Sequence, residues 1–218
     1  MQRSARRIVL IHGAAVTAEV WDGVIAALAA SDVSVPVLAP QRVYSGSLDA
    51  EVDALAPLCE DALVVGISGG ATLGLELASR GVPFACAVLH EPAVGSLLPG
   101  LLAPMAAAFE SGGVAGFANV LYGPSWRPGL APSDGDAVAR DLAMFRGFEP
   151  RPAADGAGPV LITVGELSPQ SRYDAAAALN REFGYTVQAL TGSAHAAHLD
   201  AVDQLTTLIV ELVKRSTS

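Results

Sequence analysis

The chain has 218 residues, 51% of them hydrophobic and only 16% charged, which is enough apolar material for one sizeable buried core. Thirteen basic against twenty-two acidic residues leave a net charge of −9, which repels a phosphate backbone and excludes nucleic acid as a natural partner. The two cysteines, Cys59 and Cys86, sit in apolar surroundings without metal-ligand spacing, so they read as small core residues, and a disulfide framework is excluded by count.

The N-terminus, MQRSARRIVLIHG, places three arginines before an apolar run, but residues 8–11 are too few for a secretory signal. The charge-free stretch 92–109 is broken by Pro92, Gly95, Pro99, Gly100 and Pro104, so no stable membrane insertion is expected and the cytoplasm is the expected location. Apolar runs at 8–11 (IVLI), 33–38 (VSVPVL), 63–67 (LVVGI), 84–89 (FACAVL), 160–164 (VLITV) and 186–190 (TVQAL) read as strands. Most are continuously apolar rather than alternating, as in strands covered on both faces. Helices are expected at 20–30, 48–58, 70–80 and 171–183, and Leu199, Val202, Leu205, Ile209 and Leu212 form the apolar stripe of a final helix. Such alternation predicts an α/β fold with a parallel sheet. Between 92 and 158 no strand is evident; helices near 101–109 and 136–145 are joined by Gly/Pro-rich pieces such as YGPSWRPG. The expectation is a core of residues 1–91 and 159–218 with 92–158 inserted as a helical cap over the carboxyl ends of the strands, where open parallel sheets bind ligands.

GISGG, residues 66–70, matches G-x-S-x-G. Alone the pattern is weak; its setting between the strand LVVGI and the helix ATLGLELASR is the strand-turn-helix context the motif requires. So tight a turn needs Gly66 and Gly70 and holds Ser68 exposed in a strained conformation. A serine hydroxyl is a poor nucleophile without a base, and histidine suits neutral pH. Four are available: His12, His90, His195 and His198.

With IHG (11–13) after the first strand, GISGG around Ser68 and GSAHAAH (192–198) after the last, the sequence resembles the α/β-hydrolase family over nearly its whole length. Members often carry one or two strands before the IHG strand, and the chain starts too late to hold them; the implied sheet is a trimmed one of about six parallel strands. The resemblance implies an oxyanion hole from the backbone N–H groups of Gly69 and Ala14, with His12 shaping the loop. It implies His195 as the base, with His198 as the alternative. The family's usual acid position, after the next-to-last strand, holds Ser168, which supplies no charge to an imidazolium. Glu91, at the end of the strand after the serine strand, is the favoured carboxylate, since some dehalogenases and lactonases of the family carry a glutamate there; Glu166 is the competitor. Strand alternation turns His90 to the opposite face.

The implied function is hydrolysis of a carboxylic ester or lactone by a Ser68–His195–Glu91 triad through an acyl-enzyme, a mechanism that needs no metal or organic cofactor. Leu102, Tyr122, Trp126 and Met144 of the cap are the expected pocket residues, suited to a medium-sized apolar small molecule. The same fold also serves cofactor-free lyases, cyclases and acyl transferases, and silent binding proteins, so these stay open as alternatives. Nothing in the sequence sets an oligomeric state.

Overall fold

In the computed structural model, residues 3–217 are described. Six strands, β1 (Arg7–Ile11), β2 (Val37–Leu38), β3 (Ala62–Ile67), β4 (Cys86–His90), β5 (Val160–Gly165) and β6 (Thr186–Leu190), form one sheet in the order β2-β1-β3-β4-β5-β6. Every pairing is parallel. All residues of β3 and β4 are buried, which is why these strands lack a polar alternation. Eight α-helices, α1 (Asp22–Ala29), α2 (Leu48–Cys59), α3 (Gly69–Ser79), α4 (Ala103–Tyr122), α5 (Ala137–Arg146), α6 (Gln170–Phe183), α7 (Ala197–Asp200) and α8 (Val202–Thr217), connect and cover the strands. This is an α/β-hydrolase fold. None of the helices among the described residues is long and apolar enough to cross a membrane.

The register decides where the site lies. Ile11 pairs with Gly66, Ile67 with His90, His90 with Thr163 and Gly165 with Leu190, so the strands end almost level. The residues just beyond them, His12, Ser68, Glu91 and Glu166, therefore crown one edge of the sheet. Strand order reverses between β1 and β3, opening a crevice there, and the IHG loop and Ser68 flank it.

Several expected boundaries shift for local reasons. The run 33–38 yields only a two-residue strand, because its first half is partly exposed and Pro36 joins the sheet only through its carbonyl, accepting from Ile8 N at 2.8 Å. The strand expected at 84–89 is displaced to Cys86–His90. Leu199 belongs to the short α7, and α8 begins at Val202. The helix expected near 101–109 runs from Ala103 to Tyr122 with a break at Gly113, whose φ of 56° only glycine adopts freely. Cys59 and Cys86 are buried free thiols, which burial pushes up to about 12 and about 11.

The turn after β3 has no spare volume. A methyl group on Gly70 would lie 2.0 Å from the Ile11 carbonyl oxygen, and one on Gly66 would lie 2.5 Å from the Gly70 carbonyl oxygen. Both obstacles are backbone, so relief requires moving β1 away from Gly70 or the start of α3 away from Gly66. Gly70→Ala is accordingly expected to destabilise the protein by about 3 kcal/mol in urea unfolding; an unchanged midpoint would contradict this packing.

Candidate active site

Ser68 follows β3 with φ 56° and ψ −119°, a strained conformation for a residue with a side chain. The turn is pinned from both sides: Ser68 N–H donates to the His90 carbonyl at 2.8 Å, and Thr72 donates from its amide and its hydroxyl to the Ser68 carbonyl. Thr72 Oγ1 in turn accepts from Ala93 N–H, coupling the first turn of α3 to the chain leaving β4.

Glu91 also departs from strand geometry, with φ 51°. The bend brings its side chain toward β5 and the loop after β6, where His195 Nδ1 donates to Glu91 Oε2 at 2.7 Å. Oε1 accepts from Gly165 N–H at 3.0 Å and from the Ser168 hydroxyl. Ser168 thus serves as a donor to the Glu91 carboxylate. Arg172, near the start of α6, places Nε 3.4 Å from Oε2. Burial pushes the Glu91 carboxyl up, but the hydrogen bond and charge of His195, with His90 and Arg172, outweigh it and hold the group well below the usual range. Burial, reinforced by Arg172 and opposed by Glu91, lowers His195 below 6.5. At neutral pH its ring is uncharged, Nδ1 carries the proton toward Glu91, and buried Nε2 has no protein partner.

Glu166 lies elsewhere: it is exposed, and its Oε2 accepts from Gly192 N–H at 2.8 Å. His198 is buried between Trp21 and Tyr122, with ring centroids 5.1 and 6.0 Å away, and contacts neither carboxylate. His90 does not follow the alternation expected of it. Its ring spans from the Thr163 hydroxyl to the Ala194 carbonyl, both at 3.0 Å, and so supports the residue before His195.

On the β1 side, the Gly13 carbonyl accepts from His12 Nδ1 at 2.9 Å and from Arg42 at 3.3 Å. In a trans peptide these bonds turn the following Ala14 N–H the opposite way, toward α3. A Cβ on Gly69 would stand 3.4 Å from Ala14 N, so the Ala14 amide lies beside Gly69. Neither amide donates to a protein acceptor among the described residues. Arg42 is itself buried, paired bidentately with Asp141 of α5 at 2.7 and 3.0 Å and with Glu51 of α2 at 3.2 Å. Its guanidinium carbon lies 4.9 Å from the Tyr44 ring centre and 5.4 Å from that of Phe145.

The cavity at Ser68 is lined by Ala14, Gly69, Leu102, Met105, Phe117, Leu121, Leu142, Phe145 and Arg172 among others, and encloses about 30 Å³. Of the expected pocket residues, Leu102 is on this wall. Tyr122 instead lies beneath the site: its hydroxyl donates to the Ala14 carbonyl at 2.7 Å. Trp126 and Met144 lie off this wall. The Trp126 indole N–H is spent on the Ala15 carbonyl at 3.0 Å, and Met144 lies on the face of α5 that meets Gly46, Leu48 and Arg80 rather than the cavity. Arg42, Asp141 and Arg172 escape a reading of the sequence because they are isolated charges in apolar helical or loop contexts, with no motif to mark them. No cluster of three or more His, Cys, Asp or Glu among the described residues could hold a metal ion.

The chain belongs to the alpha/beta hydrolase family, whose model matches residues 8–207. No curated protein sequence matches it. Among solved structures it is similar to the enol-lactonase from Burkholderia xenovorans LB400, at 19% identity over 97% of this chain and 92% of that one, with a TM-score of 0.71. It is similar to a pyrethroid hydrolase from Sphingobium faniae JZ-2, at 14% identity over 97% and 98%, TM-score 0.66. A thermophilic esterase from Thermogutta terrifontis has 15% identity over 100% of this chain and 92% of its own, TM-score 0.68. At these identities the likeness is one of fold.

The buried histidines give the fold a pH dependence. Burial lowers His12 to about 3, His90 to about 4 and His198 to about 3, from 6.5. Below pH 6.5 the unfolded chain takes up protons that the folded chain refuses, so this contribution is complete above 6.5 and lost as pH falls to about 4 for His90 and about 3 for His12 and His198. Each such histidine adds a slope of up to about 1.4 kcal/mol per pH unit. Urea midpoints are expected to be level from pH 8 to 7 and to drop steeply below 6; a midpoint unchanged at pH 4.5 would contradict neutral burial.

Proposed function

We propose that this protein is a serine hydrolase that cleaves a carboxylic ester or lactone. The observation carrying the reading is the Glu91–His195 pair, 2.7 Å apart and buried, with the second ring nitrogen unused, in a chain whose Ser68 occupies the strained turn after the central strand. His195 Nε2 takes the Ser68 hydroxyl proton as the oxygen attacks the carbonyl, and Glu91 stabilises the imidazolium that forms. The Ala14 and Gly69 amides receive the developing oxyanion, each worth about 3 kcal/mol to the transition state. The alkoxide departs with the proton from His195, and water attacks the acyl-enzyme by the same route in reverse. Solved structures of similar fold include an enol-lactonase, an esterase and a pyrethroid hydrolase, which supports acyl chemistry at such a site.

Residues 92–158 act as the cap in this reading. Met105, Phe117 and Leu121 from α4 and Leu142 and Phe145 from α5 give the cavity an apolar wall. A space of about 30 Å³ holds water rather than an acyl chain, so substrate enters only when these side chains draw back. The break at Gly113 is a place where α4 can bend to allow this.

A fluorophosphonate probe tests the reading. It should phosphonylate Ser68 in the folded protein, and Ser68→Ala and His195→Ala should abolish labelling. Because His195 reacts only when neutral and its pKa is lowered, the labelling rate should rise with pH to a plateau whose midpoint lies below 6.5. Folded protein that is not labelled at neutral pH overturns the hydrolase assignment.

A further inference from the structure

The cavity wall at Ser68 carries two charged side chains, Glu91 and Arg172, and only the first has its hydrogen-bonding capacity met. Arg172 is 8% exposed. Its Nε approaches Glu91 Oε2 to 3.4 Å, yet the guanidinium donates no hydrogen bond to any described residue. Nor does Glu91 need it as a donor. Oε1 is occupied by Gly165 N–H and the Ser168 hydroxyl, and Oε2 by His195. A guanidinium is a planar fork of donors that cannot shed its charge, and beyond the ion pair with Glu91 this one lines the cavity with no protein acceptor among the described residues. Burial outweighs the attraction of Glu91 in setting its proton affinity. The fork matches one ligand geometry best, a carboxylate bound through two parallel N–H···O contacts.

We propose that Arg172 binds a carboxylate carried by the substrate, so that the ester or lactone cleaved at Ser68 is an anionic one. The inference rests on the hydrolase reading above and narrows it. The apolar side chains of α4 and α5 contact the carbon skeleton between the reacting carbonyl and the carboxylate, while Arg172 fixes the skeleton's charged end. Glu91 keeps its own donors throughout, so the bound anion does not compete for His195.

Two substrate pairs test this, one with the charge on the acyl side and one with it on the alcohol side. They are 4-nitrophenyl hydrogen glutarate against its methyl ester, and 4-acetoxybenzoate against its methyl ester. The carboxylate member of at least one pair should have a kcat/KM about tenfold or more above its neutral partner, and Arg172→Gln should bring that ratio close to one. Arg172→Lys, which keeps the charge but loses the fork, should retain part of the preference. Absence of preference in both pairs for the wild-type protein overturns the proposal without recourse to any variant. So does a preference that survives Arg172→Gln, or a loss in that variant that is equal for both members, which would mean the arginine acts only through Glu91. Fluorophosphonate labelling of Ser68 in the same preparations separates these outcomes from failure of the hydrolase reading: labelled protein without charge preference refutes the carboxylate site alone.

Discussion

The burial of the Glu91 carboxylate is the constraint around which this site is built. A carboxylate taken out of water costs several kcal/mol unless donors replace its hydration. Here they arrive from Gly165 at the end of β5, Ser168 in the following loop and His195 beyond β6, with the charge of Arg172 from α6 alongside. None of these groups is near Glu91 in sequence. They meet because β4 and β5 are adjacent and in register, and because the left-handed backbone at Glu91 turns its side chain sideways at the strand end. His90, one residue earlier, supports the Ala194 carbonyl, so the same strand end positions the histidine loop twice.

A second buried charge organises the opposite flank. Arg42 joins Glu51 of α2, Asp141 of α5 and the Gly13 carbonyl. Such a cluster is weak grounds for net stability, but removing one partner leaves a buried charge uncompensated, typically at about 3–5 kcal/mol. Its structural effect is to fix the peptide that presents the Ala14 N–H while tying that peptide to α5, whose Leu142 and Phe145 line the cavity. Ser68 therefore lies between two charged networks. One orients the imidazole, and the other orients the amide on the far side of the turn.

Much of this was legible in the sequence, and the exceptions share a cause. The sheet was readable because β1, β3, β4 and β5 are almost wholly buried and hence nearly continuous apolar runs. Ser68 was readable because its turn needs glycine at 66 and 70, where any side chain collides with backbone. The pairing of Glu91 with His195 could be anticipated only through the family resemblance, which made the uncharged residue at 168 and a carboxylate at a strand end meaningful. His90 could not, because alternation fails where the backbone leaves β geometry. Trp126 and Met144 resembled pocket residues only by being apolar and in the right segment; which face of α5 turns inward is set by Asp141 pairing with Arg42, a contact about a hundred residues apart in the chain. Arg172 left no local signal for the same reason. Its significance lies in what surrounds it in space.

The turnover of Glu91→Gln, compared with Glu166→Gln on one 4-nitrophenyl ester, tests the central claim most directly. Glutamine keeps the size of the side chain while removing the charge that stabilises a protonated His195. Loss of the triad carboxylate in this way lowers kcat by about four orders of magnitude in a serine hydrolase of known mechanism. The account predicts a loss approaching that size for Glu91→Gln and less than about threefold for Glu166→Gln, whose carboxylate only caps the Gly192 amide. A Glu91→Gln protein that turns over at the wild-type rate, or a loss confined to Glu166→Gln, would contradict it.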